Sequence, residues 1–209
     1  MSFELWLTFV AASTALLLIP GPTVLLVLSY ALSKGRSVAV ASAAGVALGD
    51  LIAMTASLLG LGALVLASAT LFVALKWAGA LYLVWLGIKL IRSAPSDGLV
   101  VSAPSDVSAR HVFGHATAVT ALNPKSIAFF IAFVPQFIRA DAPLLPQFSI
   151  LIVTFVGLAA LNAFAYALLA DRLRQVIARP SIITWITRAG GATLIGMGVL
   201  TATLRRSAV

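Results

Sequence analysis

Residues 111–138 read HVFGHATAVTALNPKSIAFFIAFVPQFI. Lys125 is the only formally charged side chain in this run, and Asn123-Pro124 interrupts it near its middle. A helix needs about 20 mostly apolar residues to span a bilayer, so the run is long enough to cross. Proline lacks an N–H and clashes with the preceding turn, so the helical ladder breaks at Pro124. Asparagine is a strong N-cap, and proline suits the first position of a new helix. The segment therefore reads as two half-helices, the second with its N-terminus exposed at membrane depth.

The same chemistry opens the chain. The apolar run Phe3 to Ser33 is broken by Pro20-Gly21-Pro22, with Gly21 in the cap position before Pro22. This run has no basic leading region, and its apolar stretch exceeds that of a signal peptide, so it reads as a retained helix. Four further runs fill the rest: Val38 to about Ala67, Thr70 to Ile91, Phe148 to Ala170 and Thr184 to Leu204. Helices satisfy every backbone group within lipid, and the alternating segments of a β-barrel are missing. The expected fold is an all-α integral membrane protein of six transmembrane helices, the first and fourth interrupted.

Each half then holds a broken helix and two continuous ones. Three crossings per half force the second half to enter with opposite orientation, which is the arithmetic of an inverted repeat. The expected division is 1–92 as the first repeat, 93–110 as a linker and 111–209 as the second repeat. The linker duplicates Ser93-Ala94-Pro95-Ser96-Asp97 as Ser102-Ala103-Pro104-Ser105-Asp106, a composition that connects rather than packs.

Composition agrees. Of 209 residues, 61% are hydrophobic and 10% charged, far from the balance of a soluble domain or a disordered chain. Cysteine is absent, which excludes disulfide frameworks, thiolate metal sites and cysteine nucleophiles. The net charge of +8 argues for topology and not for a nucleic-acid partner. Lys34, Arg36, Arg92, Arg110, Arg172, Arg174, Arg179 and Arg188 fall on one side; Arg139, Arg205, Arg206 and the doubtful Lys76 fall on the other. The positive-inside rule puts the first group in the cytoplasm and both termini outside.

Polar groups inside the spans are the candidates for function. A central Asp costs about 2.5–3.5 kcal/mol on insertion scales, so Asp50 needs a cavity, a cation or a proton. It reads as a proton or substrate-amine site, or as a partner for a buried lysine. Gly45 and Gly49 precede it at a spacing that lets helices approach closely. Lys125 puts a cation at a helix N-terminus, against the dipole. Asp50 or a substrate carboxylate would compensate it, or its stem would snorkel to the interface. Asn162 reads as interhelical glue or as a substrate contact. Trp6, Trp77, Trp85, Trp185 and Tyr30 read as belt or packing residues. His111 and His115 lie four apart but lack acidic or thiol company, so neither a metal nor a cofactor is expected. Gly49-Asp50 matches half of an intramembrane aspartyl-protease motif, but Ala47 replaces its first glycine and no second mid-membrane Asp exists. With no other catalytic motif present, the chain reads as a non-enzyme.

Four segments resemble the LysE/RhtB superfamily of bacterial amino-acid exporters, close to its homoserine/threonine branch. They are Pro20-Gly21-Pro22, Gly45-Val46-Ala47-Leu48-Gly49-Asp50, residues 75–87 (LKWAGALYLVWLG), and Asn123-Pro124-Lys125-Ser126 with Pro135-Gln136-Phe137-Ile138. The resemblance implies export of small amino acids across the bacterial inner membrane by proton-coupled antiport. The expected pathway residues are Pro20, Gly21, Pro22, Gly45, Gly49, Asp50, Asn123, Pro124, Lys125 and Asn162. The expected partners are a small amino acid, a proton, membrane lipid and a second copy in a homodimer. Efflux of cations or other small solutes, or an assembly role without transport, are the alternatives.

Overall fold

The computed structural model describes residues 1–19, 21–31, 35–94, 108–139, 142–170 and 179–203, and every regular element among them is helical. In chain order these are α1 (Phe3–Leu18), α2 (Pro22–Ala31), α3 (Gly35–Ala67), α4 (Ala69–Arg92), α5 (Ala109–Ala121), α6 (Pro124–Ala132), a 3-10 turn (Val134–Phe137), α7 (Leu144–Leu168) and α8 (Pro180–Thr203). Four of them contain stretches long and apolar enough to cross a membrane: Val38–Leu64, Val73–Arg92, Leu144–Leu168 and Pro180–Ala202. The α1–α2 pair bends by 61°, and α5 bends by 44° from the segment Pro124–Phe137; by length and composition each pair is a broken span or a re-entrant loop. The chain is a multi-pass, all-α membrane protein of four to six spans.

Local chemistry sets the boundaries. Ser2, Ser68 and Ser108 each accept a backbone N–H three residues on, from Leu5, Leu71 and His111, so each caps a helix. The Ser108 cap starts α5 at Ala109, two residues before the expected run and inside the expected linker. Residues 95–107, most of that linker, lie outside the described residues, as do Pro20, Lys34, Asp171, Arg172, Arg174, Arg205 and Arg206. The unbroken helices also start one to four residues earlier than hydropathy suggested, α3 at Gly35 and α4 at Ala69 among them. Pro180 begins α8, ahead of Thr184, because proline is preorganised for a first turn. Leu144 begins α7, ahead of Phe148. There Gln147 is buried and ties down the preceding loop: it accepts from the Arg139 N–H and donates to the Arg139, Ala142 and Pro143 carbonyls.

Glycines bring the helices together. A Cβ at Gly45 would lie 2.5 Å from the Phe113 carbonyl oxygen, and one at Gly49 would lie 2.7 Å from the Thr117 oxygen, so α3 and α5 touch backbone to backbone. Gly87 and Gly191 make the same kind of contact between α4 and α8. Dispersion and shape complementarity, rather than water exclusion, hold such pairs in lipid. One core runs through the middle, where Phe9, Phe129, Phe130, Phe133, Phe137 and Phe155 are buried together. Phe130 and Phe155 meet edge to face at 4.8 Å, the geometry aromatic quadrupoles favour.

The outer faces are apolar too. Val73, Trp77, Leu81 and Trp85 form an exposed stripe along α4, which requires a lipid rather than an aqueous surround. Trp185 is 72% exposed. Tyr30 is only 4% exposed, so it is a buried residue and not a belt one. Its hydroxyl lies 2.7 Å from His115 Nδ1. Trp6 is partly buried, its indole N–H donating to Thr154 Oγ1 on α7.

Candidate functional site

The two helix breaks meet. Asn123 caps α6 by accepting the Lys125 N–H at 3.1 Å, and its carbonyl accepts the first full helical bond, from Ile127 N–H. Gly21 plays the matching part for α2, accepting from Leu25 N–H. The caps are then linked: Asn123 Nδ2 donates to Thr23 Oγ1 at 3.3 Å, and Thr23 Oγ1 lies 3.4 Å from Thr120 Oγ1. A Cβ at Gly21 would sit 3.4 Å from Lys125 Nζ. Two half-helix N-termini are thus held side by side, each with first-turn N–H groups that lack an intrahelical partner.

A cavity of about 30 Å³ opens beside them, lined by Gly21, Thr23, Asp50, Asn123, Lys125, Asn162 and Tyr166, among others. That is room for a few waters. Its remaining wall is mostly apolar, from Leu16, Val24, Val27, Val46 and Ala159.

Asp50 is 2% exposed, and its Oδ1 atom has no hydrogen-bond partner among the described residues. A buried carboxylate oxygen is costly unless water, a proton or a cation meets it, and the cavity it lines is where one can. Lys125 attracts Asp50 electrostatically, but its hydrogen bonds go elsewhere. Its ammonium crosses to the end of α1 and donates to the carbonyls of Leu16 (3.1 Å) and Ile19 (3.0 Å). Those carbonyls carry the negative end of the α1 dipole. The lysine at an unfavourable N-terminus is therefore balanced by a neighbouring C-terminus, a compensation the sequence did not suggest.

Of the residues expected from sequence, Gly21, Asp50, Asn123, Lys125 and Asn162 line this cavity together. Pro22 and Pro124 start the half-helices, are exposed and make the breaks without lining the cavity. Gly45 and Gly49 face α5 and let Asp50's helix come close. Asn162 donates to the Leu17 carbonyl, so it does bridge helices while facing the cavity. Thr23, Ser126 and Tyr166 also line it and were missed. Signals for them existed: Thr23 and Ser126 fall in the first turns after the two breaks, and Tyr166 lies four residues after Asn162, on the same helix face. Among the described residues no three His, Asp or Glu side chains gather to hold a metal.

Residues 14–205 match the family described as LysE type translocator. Over 207 residues the chain is 37% identical to a homoserine/homoserine lactone efflux protein of Salmonella typhimurium, covering 99% of this chain and 100% of that one. It is 34% identical over 206 residues to an uncharacterized membrane protein of Vibrio cholerae, covering 98% and 100%. A leucine efflux protein of Klebsiella pneumoniae is 30% identical over 137 residues, 66% of this chain and 65% of that one. No solved structure matches the chain.

Proposed function

The chain belongs to the LysE type translocator family, and from that premise we propose that it exports small amino acids across the bacterial inner membrane by proton-coupled antiport. The observation that carries this reading is the cavity between the breaks, which offers complementary charge to a zwitterion at one place. Asp50 brings a buried carboxylate whose Oδ1 atom has no hydrogen-bond partner among the described residues, which suits a substrate ammonium or a coupling proton. Lys125 and the N-termini of α2 and α6 bring positive potential, which suits a substrate carboxylate. The efflux proteins of Salmonella and Klebsiella, named for homoserine and leucine, support an amino acid as cargo.

In this reading the two three-helix units, 1–92 and 111–209, rock about the cavity and open it to one side at a time. Discontinuous helices suit such a site, because their free backbone groups bind ions without adding further charged side chains to the membrane. Lipid surrounds the exposed α4 stripe. Gly60, Gly114, Gly157 and Gly196 meet nothing within 4 Å and are the small-residue positions left for pairing with a second copy.

The experiment is export from cells loaded with dipeptides, followed across a panel of homoserine, threonine, leucine and lysine. Export of at least one that stops when a protonophore collapses the proton gradient supports the reading. Metal tolerance conferred without export of any amino acid refutes it.

A further inference from the structure

A helix ends with four carbonyls that have no partner within it. In α1 the last four carbonyls belong to Leu16, Leu17, Leu18 and Ile19, the last being the cap residue, whose own N–H turns back to the Leu16 carbonyl. Inside a membrane they need donors from protein. Each of the four accepts a hydrogen bond from a side chain on another element. Lys125 Nζ on α6 serves Leu16 and Ile19. On α7, Asn162 Nδ2 serves Leu17 at 3.2 Å, and Tyr166 Oη serves Leu18 at 3.3 Å. Asn162 and Tyr166 lie one turn apart, so one face of α7 presents both.

These three donors also line the cavity, together with Leu16 and Leu17 from the helix end they hold. The end of α1 is therefore a wall of the cavity, fastened by hydrogen bonds that a side chain makes and breaks by changing rotamer. The cavity at about 30 Å³ holds a few waters, less than any amino acid needs. A wall has to move before one enters. The fastening on α1 joins the first half of the chain to α6 and α7 of the second, where relative motion of the halves would strain it.

We infer that Lys125, Asn162 and Tyr166 form a clasp on the C-terminal end of α1 that keeps this cavity closed, with Asn162 and Tyr166 as positioning residues of the opening step. Lys125 links the clasp to cargo: an incoming carboxylate competes with the Leu16 and Ile19 carbonyls for its ammonium. The role in a transport step rests on the export reading, whereas the clasp itself does not.

The test uses the absence of cysteine from the chain. A single Val27→Cys reports on the cavity, since Val27 lines it and is 1% exposed. Its reaction with a small, charged methanethiosulfonate is followed in permeabilised membranes, so that both faces see the reagent. Adding Tyr166→Phe removes one hydroxyl and raises the labelling rate roughly two- to tenfold, the worth of one hydrogen bond. Asn162→Leu does the same, and Lys125→Met raises it further. A merely structural role lowers the melting temperature without changing labelling well below it. An unchanged rate in Tyr166→Phe overturns the clasp. Faster labelling in a protein that exports no amino acid leaves the clasp standing and removes the export reading.

Discussion

Lys125 Nζ lies 3.0 Å from the carbonyl oxygen of Ile19, so the start of α6, just after the second break, holds the end of α1, just before the first. The contact pairs a cation with the negative end of a helix dipole in a low-dielectric setting, where charge-assisted hydrogen bonds are strong. Asp50, whose Oδ1 atom has no hydrogen-bond partner among the described residues, lines the same cavity.

Lys125→Gln keeps a donor but removes the charge. The expected result is normal accumulation in the membrane and export reduced about tenfold or more, since hydrogen bonds to charged groups contribute about 1.5–3 kcal/mol. Export assays normalised to protein in the membrane check this. Lys125→Gln exporting at the parent rate would show that the charge is not used.

Gly49→Val places a side chain where a Cβ already approaches Thr117 O and Thr120 Cβ to 2.7 Å. Overpacking of this kind costs about 1–3 kcal/mol, and here the obstacle is backbone. Thermal denaturation in detergent should show a clear loss of stability. Gly114→Ala is the control, because a Cβ at Gly114 meets nothing within 4 Å, and it should melt like the parent or slightly higher.

Asn123→Ala removes the cap on α6 and the bond to Thr23 together. Loss of the cap alone costs about 1 kcal/mol. Thr23→Val removes the Thr23 side of the link and spares the cap, so its melting temperature should fall less. Thr23→Val also loses the contact with Thr120, so a larger loss in Asn123→Ala measures the cap at its least, and a larger loss in Thr23→Val would contradict a cap worth about 1 kcal/mol.

The breaks were legible because proline and asparagine carry their consequences locally: a missing N–H at Pro124 and a capping oxygen at Asn123 act within one turn. The glycines beside Asp50 were legible as packing residues from spacing alone. The partners of Lys125 and Tyr166 were not. They are backbone carbonyls of α1, more than a hundred residues away in the chain, and any residue type presents the same carbonyl. The early starts of α7 and α8 escaped hydropathy for another reason. Their first turns are set by prolines and a buried Gln147, which lower the hydrophobic signal of residues that are nonetheless helical.

Orientation is an independent prediction. The excess of Lys and Arg in the loops 1–2, 3–4 and 5–6 places those loops in the cytoplasm and both termini outside. A C-terminal alkaline phosphatase fusion, active only outside the cytoplasm, should be active, and a C-terminal green fluorescent protein should be dark. The reverse pattern would invert the topology or remove one span.

The central claim is that the cavity between the two breaks binds the cargo, and Asp50→Asn tests it most directly. The substitution keeps size and hydrogen-bonding capacity but removes the negative charge. Hydrogen bonds to charged groups contribute about 1.5–3 kcal/mol, so if Asp50 meets the substrate ammonium or the coupling proton, amino-acid export by Asp50→Asn, at parent levels of membrane protein, should fall about tenfold or more. Export at the parent rate would contradict the assignment of this cavity as the transport site.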